Sequence, residues 1–275
     1  MALSQEGLEA ALLSAKESIA GETPGQFSIH IFHRLASTNQ TLWGLIDAGA
    51  GAGTVCIALE QTAGRGQWGR TWQSGAGGLY LSLAIEPDLP LSDSAQLTLC
   101  GALGIARGLR NCGIPAGLKW PNDIVLAGGK LGGILTETRA RSGFITKAVV
   151  GAGINWANEV PPTGINLQSF QANLLPPPIP SLEMLAAVTL LGLASGYRQA
   201  AREGIAGLLP SYLELLTNIG QPAVVDGRAG TVTGVSPTLE LIVRFPPDSA
   251  ESGQLPGPAG EIRLKPGTIS LGYNR

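Results

Sequence analysis

Nine consecutive residues, Gly64-Arg65-Gly66-Gln67-Trp68-Gly69-Arg70-Thr71-Trp72, contain three glycines, two arginines and two tryptophans. Glycine lets backbone approach a ligand closely and take up positive φ. Arginine offers a planar, permanently charged fork matched to carboxylate or phosphate. Flexible backbone, fixed cations and aromatic faces together describe a loop that closes over an anionic ligand; a plain surface turn is the alternative. Lys130 follows Gly128 and Gly129 at the head of an apolar run ending in Glu137, as either a half-buried cation or a solvated turn lysine. Lys119-Trp120-Pro121-Asn122-Asp123 gathers more polar and aromatic groups around a proline that breaks a strand ladder.

Several chemistries are excluded. Gly64, Gly66 and Gly69 match G-x-G-x-x-G, but a dinucleotide fold needs a helix to open at the third glycine. Here Gly75, Gly77 and Gly78 follow closely, which opposes any helix. Walker A fails because Leu131 stands where Ser or Thr is required. His30 and His33 are the two histidines; three apart on a strand, they point to opposite faces and make no two-His metal site. Cys56, Cys100 and Cys112 form no C-x-x-C pair and read as buried thiols in a reduced, cytoplasmic setting. A net charge of −2 with 14% charged residues does not describe a nucleic-acid binder in bulk. No apolar run reaches transmembrane length, so no membrane partner is expected. Glu6, Glu9 and Glu17 interrupt the N-terminal pattern, against a signal peptide.

The elements that must position these groups follow from periodicity. Residues 5–20 repeat Leu8, Ala11, Leu12, Ala15 and Ile19 at helical spacing. This single short helix falls short of a helix-turn-helix module. Phe27 to Leu35 reads as a strand, and Ser37 or Thr38 as the cap of a helix from Gln40 to Ala48. Strands are expected over Thr54–Thr62, Gly78–Glu86, Lys130–Glu137 and Phe144–Trp156, with a long helix over Ser92–Cys112 capped by Gly113. Gly117 to Leu126 reads as one strand broken at Pro121, and Gly128-Gly129 as a hairpin turn. Asn158 to Pro180 reads as loop, followed by helices from Ser181 to about Arg202 and from Ile205 to Asn218. This order suits an α+β fold better than a doubly wound sheet. After Gly220, short runs at Ala223–Val225, Ala229–Val235, Leu239–Phe245, Glu261–Leu264 and Thr268–Leu271 predict a small β-barrel, with Pro246 to Gly260 as a long loop.

Four motifs in order, Ser37-Thr38-Asn39-Gln40, Gln61 through Trp72, Lys119 through Asp123, and Lys130-Leu131-Gly132-Gly133-Ile134-Leu135, resemble those of the biotin–protein ligases (biotin–[acetyl-CoA-carboxylase] ligases). Gly151-Ala152-Gly153-Ile154-Asn155 and Gly260-Glu261-Ile262 support the match, which runs from about Phe27 to Leu271. The resemblance implies an SH2-like α+β catalytic domain over 27–219, an SH3-like C-terminal barrel over 220–275 and an N-terminal helical extension over 1–26. It implies that biotin's carboxylate attacks the α-phosphate of ATP, with Mg²⁺ accompanying the nucleotide. A lysine of a biotin carboxyl carrier domain then attacks the biotinyl-5′-AMP so formed.

On this resemblance Arg65 and Lys130 supply the cations where charge develops, and Arg70 contacts phosphate. Ser37, Thr38, Asn39 and Gln61 line the biotin side, with Gly64, Gly66, Gln67, Arg65 and Lys130 completing it. Trp72, Asn122, Asp123 and Asn155 face ATP, and Asp123 either holds Mg²⁺ or positions the nucleotide. Some relatives carry an N-terminal DNA-reading domain; about 26 residues precede the catalytic region here, so no operator binding is expected. Relatives that are monomers or dimers leave a homodimer open. The rival readings are a lipoate or octanoate ligase or transferase of the same fold, and a non-catalytic biotin-binding regulator. Many relatives have Arg where this chain has Gln67, which implies faster leakage of the adenylate here; slower release from Gln67→Arg than from wild type is the expected result.

Overall fold

The computed structural model describes residues 3–19, 26–246, 260–269 and 271–272. Its elements run α1 (Gln5–Ile19), β1 (Ser28–Leu35), α2 (Thr38–Asp47), β2 (Thr54–Gln61), β3 (Leu79–Ile85), β4 (Leu89–Pro90), α3 (Ala95–Asn111), β5 (Gly117–Lys119), β6 (Asp123–Leu126), β7 (Gly129–Arg141), β8 (Phe144–Ile154), α4 (Leu167–Phe170), α5 (Leu182–Leu215), β9 (Pro222–Val225), β10 (Arg228–Val235), β11 (Leu241–Arg244) and β12 (Glu261–Leu264). The main sheet has the order β1-β2-β3-β8-β7-β6-β5, with β4 pairing β8. β1 and β2 are parallel, joined through α2, and the other pairs are antiparallel. This mixed sheet with helices is the α+β class that the element order predicts.

Alternation gives the sheet two differently used faces. Leu79, Leu81 and Leu83 of β3 and Val150, Ala152 and Ile154 of β8 join the core shared with α1, α3 and α5. The opposite face carries Cys56, Ala84 and Val149, which pack against Leu42 and Ile46 of α2. Burial pushes the Cys56 and Cys100 thiols up to about 12, so both behave as small core hydrophobes. The first face is sealed by a very close α3–α5 crossing. A Cβ on Gly104 would collide with the Gly192 carbonyl, and one on Gly196 with the Cys100 carbonyl. Glycine weakens each helix by about 0.5–1 kcal/mol relative to alanine, and here the backbone-to-backbone contact offsets that cost. α1 lays Leu8, Ala11, Leu12 and Ala15 into the same core.

Local chemistry corrects several expectations. Pro121 does not interrupt one strand; Trp120-Pro121-Asn122 turns the chain, and β5 and β6 pair antiparallel with Lys119 opposite Asp123. The turn between β6 and β7 is Ala127-Gly128, one residue earlier than expected, with φ of 46° and 78°. Two positive φ values are what a two-residue hairpin of this hand needs. Ser37 stands at the N-cap of α2 but its side chain makes no capping bond. The helix expected from Ser92 starts at Ala95, after a 3₁₀ turn over Leu91–Asp93. α5 runs through both helices expected after Ser181, broken at Gly204, where φ is 65°.

The C-terminal residues form a four-stranded antiparallel sheet in the order β12-β11-β10-β9. Its described residues do not close into the expected barrel, and Thr268, Ile269 and Leu271 lie outside any strand. Residues 247–259 of the expected long loop lie outside the described residues. Trp120, in the turn after β5, reaches the C-terminal segments: its amide donates to Asn218 Oδ1 at 2.8 Å and its indole N–H to the Leu239 carbonyl at 3.0 Å. Among the described residues no helix is long and apolar enough to cross a membrane.

Candidate active site

Beyond the end of α2 the second sheet face is floored by Gly151 and Gly153 of β8, flanked by Tyr80 and Ser82 of β3 and by Gly133 and Leu135 of β7. A cavity of about 190 Å³ lies over this floor. The alternation Gly-Ala-Gly has a plain cause. Ala152 faces the core, whereas side chains cross directly above both glycines. A Cβ on Gly151 would collide with Asn39 Oδ1, and one on Gly153 with the indole Nε1 of Trp72.

A chain of polar side chains borders one half of the cavity. Gln61 Oε1 accepts from the Thr38 amide at 2.8 Å and from Thr38 Oγ1 at 3.1 Å. Ser82 Oγ lies 2.7 Å from Thr38 Oγ1 and donates to Asn39 Oδ1 at 2.7 Å. Asn39 Nδ2 donates to Glu137 Oε2 at 2.9 Å. At the other end Gln61 Nε2 donates to Ser74 Oγ at 2.8 Å, and Ser74 Oγ donates to the Trp72 carbonyl at 3.0 Å. Ser37, Thr38 and Asn39 are buried. Buried amides and hydroxyls arranged this way present fixed donors and acceptors to a neutral polar ring, whose own groups are costly to bury unpaired.

Cations gather in the other half. Lys130 Nζ lies 2.6 Å from Asp123 Oδ1 and 5.2 Å from the Trp72 ring centroid. Asn122 Nδ2 donates to the Ile134 carbonyl at 3.0 Å, which fixes the β5–β6 turn against β7. The Arg70 guanidinium sits 5.7 Å from the Trp68 ring. In the loop itself Trp68 and Gly69 both take positive φ, 55° and 73°, so the chain reverses at a 3₁₀ turn over Gln67–Gly69. Lys119 is 6% exposed and donates to the Leu271 carbonyl at 2.6 Å. The site therefore has a neutral hydrogen-bonding half and a cationic half, which suits a ligand with a polar ring at one end and an anion to be activated at the other.

The model of the Biotin/lipoate A/B protein ligase family matches residues 31–155. The bifunctional ligase/repressor BirA of Escherichia coli (strain K12) is 34% identical over 233 residues, 82% of this chain and 70% of that protein. The biotin–[acetyl-CoA-carboxylase] ligase of Paracoccus denitrificans is 31% identical over 247 residues, 83% of this chain and 97% of that protein. The chain belongs to the biotin protein ligases. A Bacillus subtilis bifunctional ligase/repressor is 42% identical over 128 residues, which span 39% of its length. The fold agrees: a biotin protein ligase from Aquifex aeolicus in complex with biotin and ATP superimposes with a TM-score of 0.70 at 22% identity, covering 90% of this chain and 99% of that one.

Set in this family, the residues singled out by type and order fall largely on one cavity. Ser37, Thr38, Asn39, Gln61, Gly66 and Gln67 line it, as do Arg65, Arg70, Trp72, Asn122, Asp123 and Lys130. Gly64 and Asn155 do not. Gly64 sits against Ser74 and the Trp72 carbonyl, where a Cβ has no room, and so shapes the loop from behind. Asn155 Nδ2 donates to the Lys130 carbonyl at 3.2 Å and its Oδ1 accepts from Asn158 at 3.0 Å, so it props the strand carrying the cation. Arg65 faces Glu137, at 3.0 Å, rather than Lys130. Sequence reasoning named Lys119 within its motif without giving it a role, and missed Ser82, Ser74 and Glu137 as parts of this site.

Lys119 brings a pH dependence to this site. Burial lowers its pKa to about 8, against the pull of Asp123 in the other direction. The ammonium is present below that value and lost above it. Activity that uses this cation falls as pH rises through about 8, and Lys119→Arg, charged throughout, moves that limb to higher pH. The pH–rate profiles of the two proteins decide it, and superimposable profiles go against the assignment. Stability moves the other way. From about 8 to 10.5 the folded chain holds fewer protons at this site than the unfolded chain, so the burial penalty is relieved as pH rises.

Proposed function

We propose that the protein is an ATP-dependent ligase that joins biotin to a lysine of a biotin carboxyl carrier domain through biotinyl-5′-AMP. In the first step a biotin carboxylate oxygen attacks the α-phosphorus of ATP and the bond to pyrophosphate breaks. In the second the lysine amine attacks the acyl carbon and AMP departs. The observation that carries the reading is the division of one cavity into the Thr38–Asn39–Gln61 hydrogen-bonding half and the Lys130–Asp123 half. Thr38, Asn39 and Gln61, with Ser37 at their edge, take the ureido ring. Lys130 and Arg70 stabilise the negative charge that accumulates as two anions meet. Trp72 and Asn122 hold the nucleotide.

Mg²⁺ is usually held by one or two carboxylates together with substrate phosphates, rather than by an all-protein cage. Asp123 fits that role: it is the carboxylate on the cavity wall, and the described residues contain no group of three or more acidic, His or Cys ligands. The ion would neutralise phosphate charge. We place the catalytic unit over 27–219 and the C-terminal unit over 220–275, the latter as an SH3-like barrel built on the four-stranded sheet. A cytoplasmic setting goes with this reading, which accommodates a monomer or a homodimer.

The family model spans lipoate enzymes as well as biotin enzymes. The polar chain favours biotin, because hydroxyls and amides along this half offer hydrogen bonds that a ureido ring can use and a dithiolane ring cannot. The experiment incubates the protein with ATP, Mg²⁺, a carrier domain and either biotin or lipoate, and weighs the carrier. A biotin adduct is the expected product. A lipoyl adduct alone transfers the protein to the other branch, and no adduct with either acid overturns the enzymatic reading.

A further inference from the structure

Glu137, near the middle of β7, lies outside the cavity wall and has no part in the steps above. Its position is unusual in what it joins. Its carboxylate meets the Arg65 guanidinium as a two-pronged pair, Nη1 to Oε1 at 3.0 Å and Nη2 to Oε2 at 3.1 Å. The same Oε2 accepts from Asn39 Nδ2 at 2.9 Å. Arg65 belongs to the exposed loop and is 47% exposed at its side chain, whereas Asn39 is 3% exposed and is held from its other side by Ser82. One carboxylate therefore spans the exposed loop and the buried pocket group. The far end of the loop is bonded to the same pocket chain, since the Trp72 carbonyl accepts from Ser74, which accepts from Gln61. Both ends of the loop are tied to the side chains that take the polar ring of the ligand.

We infer that Glu137 is a positioning residue, the catch that couples occupancy of the Asn39–Gln61 pocket to closure of the loop over residues 64–72. This rests on the proposed ligase reading for what the loop encloses, but not for the catch itself. A ligand that orders Asn39 orders the carboxylate that grips Arg65, and a closed loop in turn holds Asn39 in its binding orientation. Coupling of this kind is reciprocal. The charge is what makes the catch effective. A bidentate guanidinium–carboxylate pair is stronger and more directional than a neutral bond, while the loop's other side-chain hydrogen bond to β7, Gln67 Nε2 to the Ile134 carbonyl, is long at 3.5 Å. An acyl adenylate is lost to water unless its site stays closed, so the catch sets how long the intermediate is kept.

Glu137→Gln preserves shape and an acceptor but removes the charge. Two measurements on the full chain test it. Hydrogen exchange over residues 64–72 in protein without added ligand is expected to speed up about three- to tenfold, with exchange in β3 and β8 unchanged. Release of biotinyl-5′-AMP after its synthesis is expected to speed up by a similar factor. Exchange needs no ligand, so a wild-type protein that makes no adenylate overturns the ligase reading while the catch is still judged by exchange. Unchanged exchange overturns the catch; faster exchange with unchanged release overturns its coupling to retention. If Glu137→Gln does not fold, Arg65→Gln breaks the same pair from the loop side and leaves the Glu137–Asn39 bond in place, and loop exchange is read on that variant by the same criteria.

Discussion

Lys130→Ala should lower the rate of adenylate formation by about two to three orders of magnitude while leaving the fold intact. The backbone of Lys130 is fixed independently of its side chain: its amide donates to the Thr163 carbonyl at 2.8 Å, and its carbonyl accepts from the Ile165 amide at 3.0 Å and from Asn155. Truncation therefore does not release the strand. The side chain, by contrast, holds Asp123 at 2.6 Å and reaches over Trp72, where the two anionic substrates of the proposed reaction would approach. Removing it deletes a cation and leaves Asp123 without that partner, so carboxylate and triphosphate then meet a site with more negative charge than before. Pyrophosphate release in a single turnover measures the step, and circular dichroism measures the fold. A variant that keeps the wild-type rate sinks the role assigned to Lys130. One that loses its secondary structure contradicts the independence of the backbone.

Much of this site is legible in the amino-acid sequence, and the reason is chemical. Arg65, Arg70, Lys130, Asp123 and Asn122 stand in short runs with glycine, proline or tryptophan, types that strands and helices do not otherwise require at those positions. Their order along the chain marks them as a set. What is not legible is any partner that depends on distant pairing. Ser82 looks like one more alternating residue of β3, and only its contact with Asn39, 43 residues earlier, makes it part of the pocket. Glu137 reads as the polar end of a strand, and its bond to Asn39 spans 98 positions. Lys119 donates to a carbonyl 152 residues later. The turn at Trp120-Pro121-Asn122 is misread because proline in a strand-like run signals a break, while antiparallel pairing of Lys119 with Asp123 makes it a hairpin. The short C-terminal runs show strands but not closure, because alternation says which face is apolar and nothing about which edges meet.

The glycines of β8 offer the sharpest test of the two halves, because each is small for the sake of a different neighbour. Gly151 and Gly153 are not at positive φ, so alanine costs little in backbone terms. The objection to a Cβ at Gly151 is the Asn39 amide, which cannot step aside freely: Ser82, Glu137 and the Leu135 carbonyl hold it from three directions. Gly151→Ala should displace that amide, break those bonds and weaken biotin binding by about thirtyfold, roughly 2 kcal/mol at about 1.4 kcal/mol per factor of ten. The loss should fall mainly on Kd for biotin. The objection to a Cβ at Gly153 is the Trp72 indole, which also carries the Lys130 contact. Gly153→Ala should therefore weaken nucleotide binding by a comparable factor and spare biotin binding more. Titration calorimetry with each substrate separates the two outcomes. If Gly151→Ala instead harms nucleotide binding and Gly153→Ala harms biotin binding, the halves of the cavity have been assigned the wrong way round. If neither variant moves either affinity, the crowding over the two glycines is not where the substrates bind.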